Sequence, residues 1–162
     1  SCPTNNCNVL ILYNLIFNSS KTILNKLSPL KEVGLGYLKL GQSSSTLSGG
    51  EAQRLKLASY LINDNKESKN NSLFIFDEPT SGLHNMDIAN FMKSVNDLIN
   101  KNNSVIIIEH NTELIKQADW IIDMGPDGGK AGGEICFQGT PLELIKTKKN
   151  KTGKYLKKMF VS

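Results

Sequence analysis

Three short stretches hold the residue types that can do chemistry. Asp77-Glu78 closes the apolar run Leu73-Phe74-Ile75-Phe76, and Glu109-His110 closes a second run, Val105-Ile106-Ile107-Ile108. An aspartate directly after a strand suits a magnesium ion on nucleotide phosphates, because that ion takes one or two carboxylates and keeps its waters. The next residue, Glu78, suits a base that orients or deprotonates an attacking water. His110 suits a donor to a phosphoryl group as charge develops on it. Taken singly, each is equally what a solvated strand end looks like. The third stretch is Ser48-Gly49-Gly50-Glu51. A capping box explains its serine and glutamate, but two adjacent glycines cost helix stability and need another reason. Without side chains they leave the amides of a helix start, at the positive end of its dipole, open to a phosphate. Gln53 and Arg54 lie one turn on, where they are expected to face a partner surface.

The elements that must hold these residues follow from hydrophobic spacing. Residues 9–30 read as helical, broken around Asn18-Ser19-Ser20 and stopped by Pro29. A helix starting at Ser48 carries an apolar face at Leu55, Ala58, Leu61 and Ile62 and ends in an Asn/Lys-rich loop over residues 63–72. Leu73–Phe76 and Val105–Ile108 are continuous apolar runs, the pattern of parallel strands buried on both faces. Between them, Met86 to Ile99 is amphipathic, with Met86, Ala89, Phe91, Met92, Val95, Leu98 and Ile99 inward. Strand, helix, strand makes a βαβ unit. A short helix over Thr112–Ala118, a strand over Trp120–Met124, a glycine-rich loop and a strand over Glu134–Phe137 are expected to complete one sheet. Thr140-Pro141-Leu142-Glu143 then opens a helix with a capping box.

Composition bounds the rest. A chain of 162 residues closes one core. It begins at Ser1 and reads as a stretch of something longer, and its first apolar run, Val9 to Phe17, is roughly half of what spans a bilayer. Three cysteines, Cys2, Cys7 and Cys136, argue against a disulfide scaffold and for a cytoplasmic protein. The formal charge of +4 is uneven: residues 146–158 hold seven lysines and no acid, leaving twelve basic against fifteen acidic side chains before them. Such a run reads as a solvated tail before it reads as a phosphate-binding arm.

The order of the motifs is more specific than any one of them. L-S-G-G-E, an apolar run closed by D-E-P-T-S-G-L-H, and then E-H resembles the signature, Walker B, D-loop and His-switch of ABC ATPases. The resemblance implies an α/β fold of the ABC-ATPase, P-loop-NTPase-like type, a largely parallel sheet flanked by helices and here a partial domain. It also implies ATP and Mg²⁺ as cofactors. Ser48, Gly49, Gly50 and Glu51 would contact the γ-phosphate held by another ATPase half. Asp77 would serve the Mg²⁺, and Glu78 and His110 the reaction, of the nucleotide on this half. Ser81, Gly82, Leu83 and His84 would form the loop linking the two sites. Within that superfamily, V-G-L-G-Y-L-K-L-G-Q, L-S-G-G-E-A-Q-R-L-K-L-A, I-I-E-H-N and A-D-W-I-I-D-M-G-P-D-G-G-K-A-G-G-E are similar to the C-terminal ATPase half of the UvrA family of excinuclease proteins, over roughly residues 31–145. That implies a damage-recognition ATPase of nucleotide excision repair, working as a homodimer with its other ATPase half, damaged DNA and UvrB, and no membrane. The resulting division is 1–30, a helical region preceding the signature segment; 31–145, the C-terminal part of the ATPase domain; and 146–162, a lysine-rich tail.

Two things the family carries are not in this sequence. A phosphate-binding loop needs G-x4-G-K-[ST], and the nearest stretch, Gly129-Lys130-Ala131, lacks the hydroxyl residue and has Met124 at the first glycine. Cys2 and Cys7 do not reproduce the spacing of the family's zinc knuckle, so no zinc site is expected here. The chain alone is therefore expected to be inactive. Two other readings stay open: a non-catalytic module offering its signature helix for dimerisation, and an ABC ATPase of another task, a transporter subunit or an SMC-like protein. The absence of long heptads weighs against the SMC-like protein, and the Val33–Gln42 lead-in and the Gly125–Gly133 loop weigh against the transporter subunit.

Overall fold

Along Leu73–Asp77, phenylalanines alternate with Leu73, Ile75 and Asp77, and that period of two decides which side of the strand meets a core. In the computed structural model, which describes residues 8–16, 20–63, 71–126 and 132–161, this segment is strand β1 (Leu73–Asp77), paired in parallel with β2 (Ser104–Ile108). The register sets Leu73 opposite Ser104 and Asp77 opposite Ile108. The chain divides into two compact units, Ser1–Glu109 and His110–Ser162.

In the first unit, the phenylalanine face is covered. Phe76 packs edge-on to Phe91, with ring centroids 5.9 Å apart, and Phe74 packs edge-on to Tyr60 at 4.8 Å. The other face is not. Leu73, Ile75, Ile106 and Ile108 are 50–62% exposed, which corrects the expectation of strands buried on both sides. The apolar runs are real, but the described helices of this unit cover one face of the pair.

Helix α4 (Asn85–Asn100) buries Ile88, Phe91, Met92, Val95 and Leu98, a helical stripe one face wide. Met86 (83% exposed), Ala89 and Ile99 fall outside that stripe, which corrects their inward assignment; Ile88 and Ser94 take their place. Helix α3 (Gly49–Asn63) starts and ends where its sequence predicts, but it buries Gly50, Arg54, Leu57 and Ala58, a face rotated from the one its leucines suggest.

Residues 9–30 form two helices, α1 (Val9–Ile16) and α2 (Lys21–Glu32), and Pro29 lies inside α2 instead of ending it. Proline removes its own donor and crowds the carbonyl four residues before it, but leaves its own carbonyl able to accept. Its carbonyl still accepts from Val33 N–H at 3.0 Å, so the helix runs one more turn. The following segment buries Val33, Leu35 and Leu38. Gly34 (φ 75°) sits so close to Leu83 that an added Cβ would come within 2.8 Å of its methyl.

The second unit is built on a different pairing. Strands β3 (Ile121–Gly125) and β4 (Glu134–Gly139) are antiparallel, with a register shift between Asp123 and Met124, and form their own two-stranded sheet. The expectation that they complete one sheet with β1 and β2 is therefore corrected. Helix α5 (Thr112–Ile115) is shorter than expected, and α6 (Pro141–Leu144) has the capping box its sequence announces, with Thr140 and Glu143 bonded reciprocally. Four of the seven lysines of the run lie in a helix, α7 (Lys151–Val161). Its lysines are exposed while Leu156 is fully buried with Ile121 and Leu144, so a packed helix stands where a free tail was expected. Asp123 fixes the start of α7, accepting from the Asn150 amide at 2.6 Å and the Thr152 hydroxyl at 3.1 Å. No described helix is long and apolar enough to cross a membrane. The expectations for Cys2, Cys7, most of the 63–72 loop and the Gly128–Ala131 stretch lie outside the described residues.

Candidate nucleotide site

A strand residue points its N–H and C=O to one side, and the next residue points to the other. Glu78 N–H donates to Ile108 O at 2.9 Å, across the β1–β2 pair, so the groups of Asp77 face the open edge of β1. There Gln53, one turn into α3, takes the place of a neighbouring strand. Its amide donates to Asp77 O at 3.0 Å and accepts from Asp77 N–H at 2.9 Å. The backbone of Asp77 is thus held on both hydrogen-bonding groups while its side chain stays exposed at the strand end.

Glu78 follows with φ 48°, a left-handed conformation uncommon for a residue with a Cβ. Such backbone persists only where the surroundings determine it. Here they do: the Glu78 carbonyl accepts from Ser81 N–H at 3.1 Å, and Thr80 is anchored by Glu109, which accepts from Thr80 N–H at 2.9 Å and from its hydroxyl. Arg54, 1% exposed, donates through Nη1 to the carbonyls of Pro79 and, at 3.3 Å, Ser81. Gln53 and Arg54 therefore do not face a partner surface. They bind the segment after β1 to α3 of the same unit.

Ser81 and Gly82 are exposed, with Gly82 at φ 77° in the turn; Leu83 packs on Gly34, and His84 caps the start of α4 with its carbonyl. Ser48 and Glu51 form the expected capping box: Ser48 N–H donates to Glu51 at 2.7 Å, and Glu51 N–H donates to Ser48 Oγ at 3.3 Å. The two glycines differ. A Cβ on Gly50 would lie 3.2 Å from Glu78 O and 3.3 Å from Arg54 Nη1, so a side chain there would press on both. A Cβ on Gly49 would meet nothing within 4 Å, so the unit's own packing gives no reason for that glycine. Gly49→Ala is accordingly expected to stabilise the chain by a few tenths of a kcal/mol to about 1, through helix propensity. Gly50→Ala is expected to destabilise it by about 1 kcal/mol or more. Urea unfolding of the two variants checks this, and a shared sign would contradict the distinction.

The Glu51 carboxyl is also tied to Tyr37, whose hydroxyl donates to it. That bond, with the Ser48 N–H, holds the Glu51 carboxyl below its ordinary value of 4.5. Burial, followed by the carboxylate, raises the Tyr37 hydroxyl above 10.0. A lowered carboxyl favours the folded state in its ionised form, so its contribution is present above the ordinary glutamate range and is lost as pH falls through the lowered value. The melting-temperature gap between wild type and Glu51→Gln should be widest near neutrality and close below pH 4.5. A gap independent of pH would contradict it.

The first unit thus brings together Ser48–Glu51, Asp77–Glu78 and Ser81–His84. His110 is the first residue of the second unit and is exposed; Asn111 after it caps α5, accepting from Glu113 N–H at 2.9 Å. Sequence reasoning missed Tyr37, and for Glu109 it saw only a strand end. Among the described residues no group of three or more His, Cys, Asp or Glu is placed to hold a metal by itself. A magnesium ion on nucleotide phosphates needs no such group, and one exposed carboxylate on a clamped backbone fits it.

No protein-family model matches the chain. Curated relatives do. UvrABC system protein A of Rhizobium meliloti (strain 1021) is 51% identical over 143 residues, 88% of this chain and 14% of the relative. The same-named proteins of Mycoplasmopsis pulmonis and Staphylococcus aureus (strain COL) are 50% and 52% identical over 143 residues, 88% of this chain and 15% of each relative. Among solved structures, UvrA2 from Deinococcus radiodurans aligns with TM-score 0.77 at 36% identity, over 95% of this chain and 18% of that one. A bacterial Atm1-family ABC exporter, solved with ATP bound, aligns with TM-score 0.55 at 21% identity over 95% of this chain and 26% of its own, a likeness of fold alone. The fold is thus of the α/β ABC-ATPase type, and the chain spans about one seventh of the length of the curated relatives it matches. Over the residues those relatives cover, this chain belongs to the family of UvrABC system protein A.

Proposed function

We propose that the chain supplies half of an ATP-hydrolysing site to a longer protein that recognises damaged DNA in nucleotide excision repair. The observation that carries this reading is the Asp77-Glu78 pair, in which a doubly clamped backbone presents one carboxylate and a left-handed backbone presents the next. Asp77 would hold the magnesium ion of ATP, which when bound neutralises charge on the phosphates. Glu78 would orient and deprotonate the attacking water, with His110 donating to the γ-phosphate. Ser48, Gly49, Gly50 and Glu51 would meet the γ-phosphate of a second nucleotide, held by another ATPase half. The loop Ser81–His84 would lie between the two sites.

Completion of the site then falls to residues outside this chain, since the sequence has no phosphate-binding loop, and the chain alone is proposed to be inactive. The partners that follow are the other ATPase half, a second copy of the longer protein, damaged DNA and UvrB, in the cytoplasm. In the full-length protein, Asp77→Asn should raise the magnesium concentration for half-maximal ATP hydrolysis by about tenfold, the loss of the ion's protein carboxylate. A magnesium titration of hydrolysis checks this, and an unchanged midpoint would remove Asp77 from its role.

A further inference from the structure

Gln53 has no place in the chemistry proposed above, yet it makes a two-point bond to the residue on which that chemistry rests. It donates to Asp77 O at 3.0 Å and accepts from Asp77 N–H at 2.9 Å. Both bonds reach across to the strand from helix α3, four residues after Gly49. Three successive attachments therefore join the first two turns of α3 to the segment after β1: Gly50 against the Glu78 carbonyl, Gln53 on Asp77, and Arg54 on the carbonyls of Pro79 and Ser81. A helix moves as a rod, and close-packed contacts transmit displacement instead of absorbing it.

We propose that Gln53 is a positioning residue that couples the helix start at Ser48–Glu51 to the carboxylates at Asp77-Glu78, so that a phosphate drawn to the helix start aligns the base of the neighbouring nucleotide. This rests on the two-nucleotide reading above. The geometry favours Gln53 as the element that sets alignment. Arg54 is fully buried and its removal is expected to disturb folding, whereas Gln53 is half-buried and bonds the strand edge. A side-chain amide also carries a donor and an acceptor side by side, so it can answer both the backbone N–H and the backbone C=O of one residue. Losing the clasp frees Asp77 to shift without removing any group that would touch substrate. A misplacement of about 1 Å at a reacting centre can cost on the order of 10²-fold in rate.

The test is steady-state ATP hydrolysis by the full-length protein with Gln53→Met, Gln53→Glu and Glu78→Gln side by side. Gln53→Met, similar in length but without amide groups, should lower kcat by about 10- to 100-fold while the ATP concentration for half-maximal rate stays within about twofold. Gln53→Glu keeps the acceptor for Asp77 N–H and loses the donor, so its kcat should fall between Gln53→Met and wild type. Wild-type kcat in Gln53→Met alongside an inactive Glu78→Gln would overturn the coupling and leave the site reading intact. So would a parallel loss of kcat and ATP affinity in both Gln53 variants, the pattern of general structural damage. Wild-type turnover in Glu78→Gln would instead remove the site reading itself.

Discussion

Replacing Glu78 by Gln in the full-length protein is expected to lower ATP hydrolysis by about 10²- to 10⁴-fold while leaving magnesium-dependent ATP binding at wild-type strength. The substitution keeps the shape of the side chain and removes its basicity. The backbone that presents it is set by groups other than its carboxylate: Glu78 N–H on Ile108 O, Glu78 O under Ser81 N–H, and Gly50 closing against that carbonyl. The left-handed conformation at φ 48° should therefore survive, and the loss should be chemical. Nucleotide binding and hydrolysis measured on the same preparation separate the two. Unchanged turnover would mean that another group activates the water.

The second large effect is on stability. Arg54 is 1% exposed, and its Nε has no hydrogen-bond partner among the described residues. Burying a guanidinium costs several kcal/mol, so replacing a buried charge by an apolar residue of similar size can be neutral when every partner is otherwise satisfied. Here the partners are backbone carbonyls of Pro79 and Ser81 in a tight turn, and they lose a charged donor. Leaving two carbonyls unpaired outweighs the relief of desolvation. Arg54→Met should destabilise the chain by about 3 kcal/mol, roughly a hundredfold in the ratio of folded to unfolded chains. Arg54→Lys, which keeps a charge but loses the planar fork, should recover only part of it. Urea unfolding measures both, and a loss below about 0.5 kcal/mol for Arg54→Met would show that the turn satisfies itself without the arginine.

These residues also mark what can be read from one sequence. The motifs Ser48–Glu51, Asp77-Glu78 and Ser81–His84 are legible because each combines unusual residue types at fixed spacing, and the limits of α3, the parallel pairing partners of the βαβ unit and the capping box at Thr140 follow from local rules. Gln53 and Arg54 are not legible in this way. On a helix, long polar side chains read as solvent-facing, and nothing local reveals that the opposite element offers carbonyls and a strand edge for them to satisfy. The burial of β1 and β2 is overestimated from sequence for a related reason. Leu73, Ile75, Ile106 and Ile108 state that a face is apolar, but which element covers it is a tertiary fact. Likewise the strands after His110 carry ordinary strand residues, and their antiparallel pairing depends on the register between Asp123 and Phe137, which composition does not encode. In α7 the density of lysines points to a solvated tail, although Tyr155, Leu156, Met159 and Phe160 lie among them; that the helix packs through Leu156 is a tertiary fact.

The central claim is that Ser48–Glu51 and Asp77-Glu78 serve two different nucleotides. It is tested most directly by the structure of the full-length protein with magnesium and a non-hydrolysable ATP analogue, from which two distances are read: Gly49 N–H to the nearest γ-phosphate and the Glu78 carboxylate to the nearest γ-phosphate. The prediction is that both are short and end on two separate nucleotides, each contributed in part by a different ATPase half. A single nucleotide meeting both groups, or a Glu78 carboxylate turned away from every γ-phosphate, would contradict it.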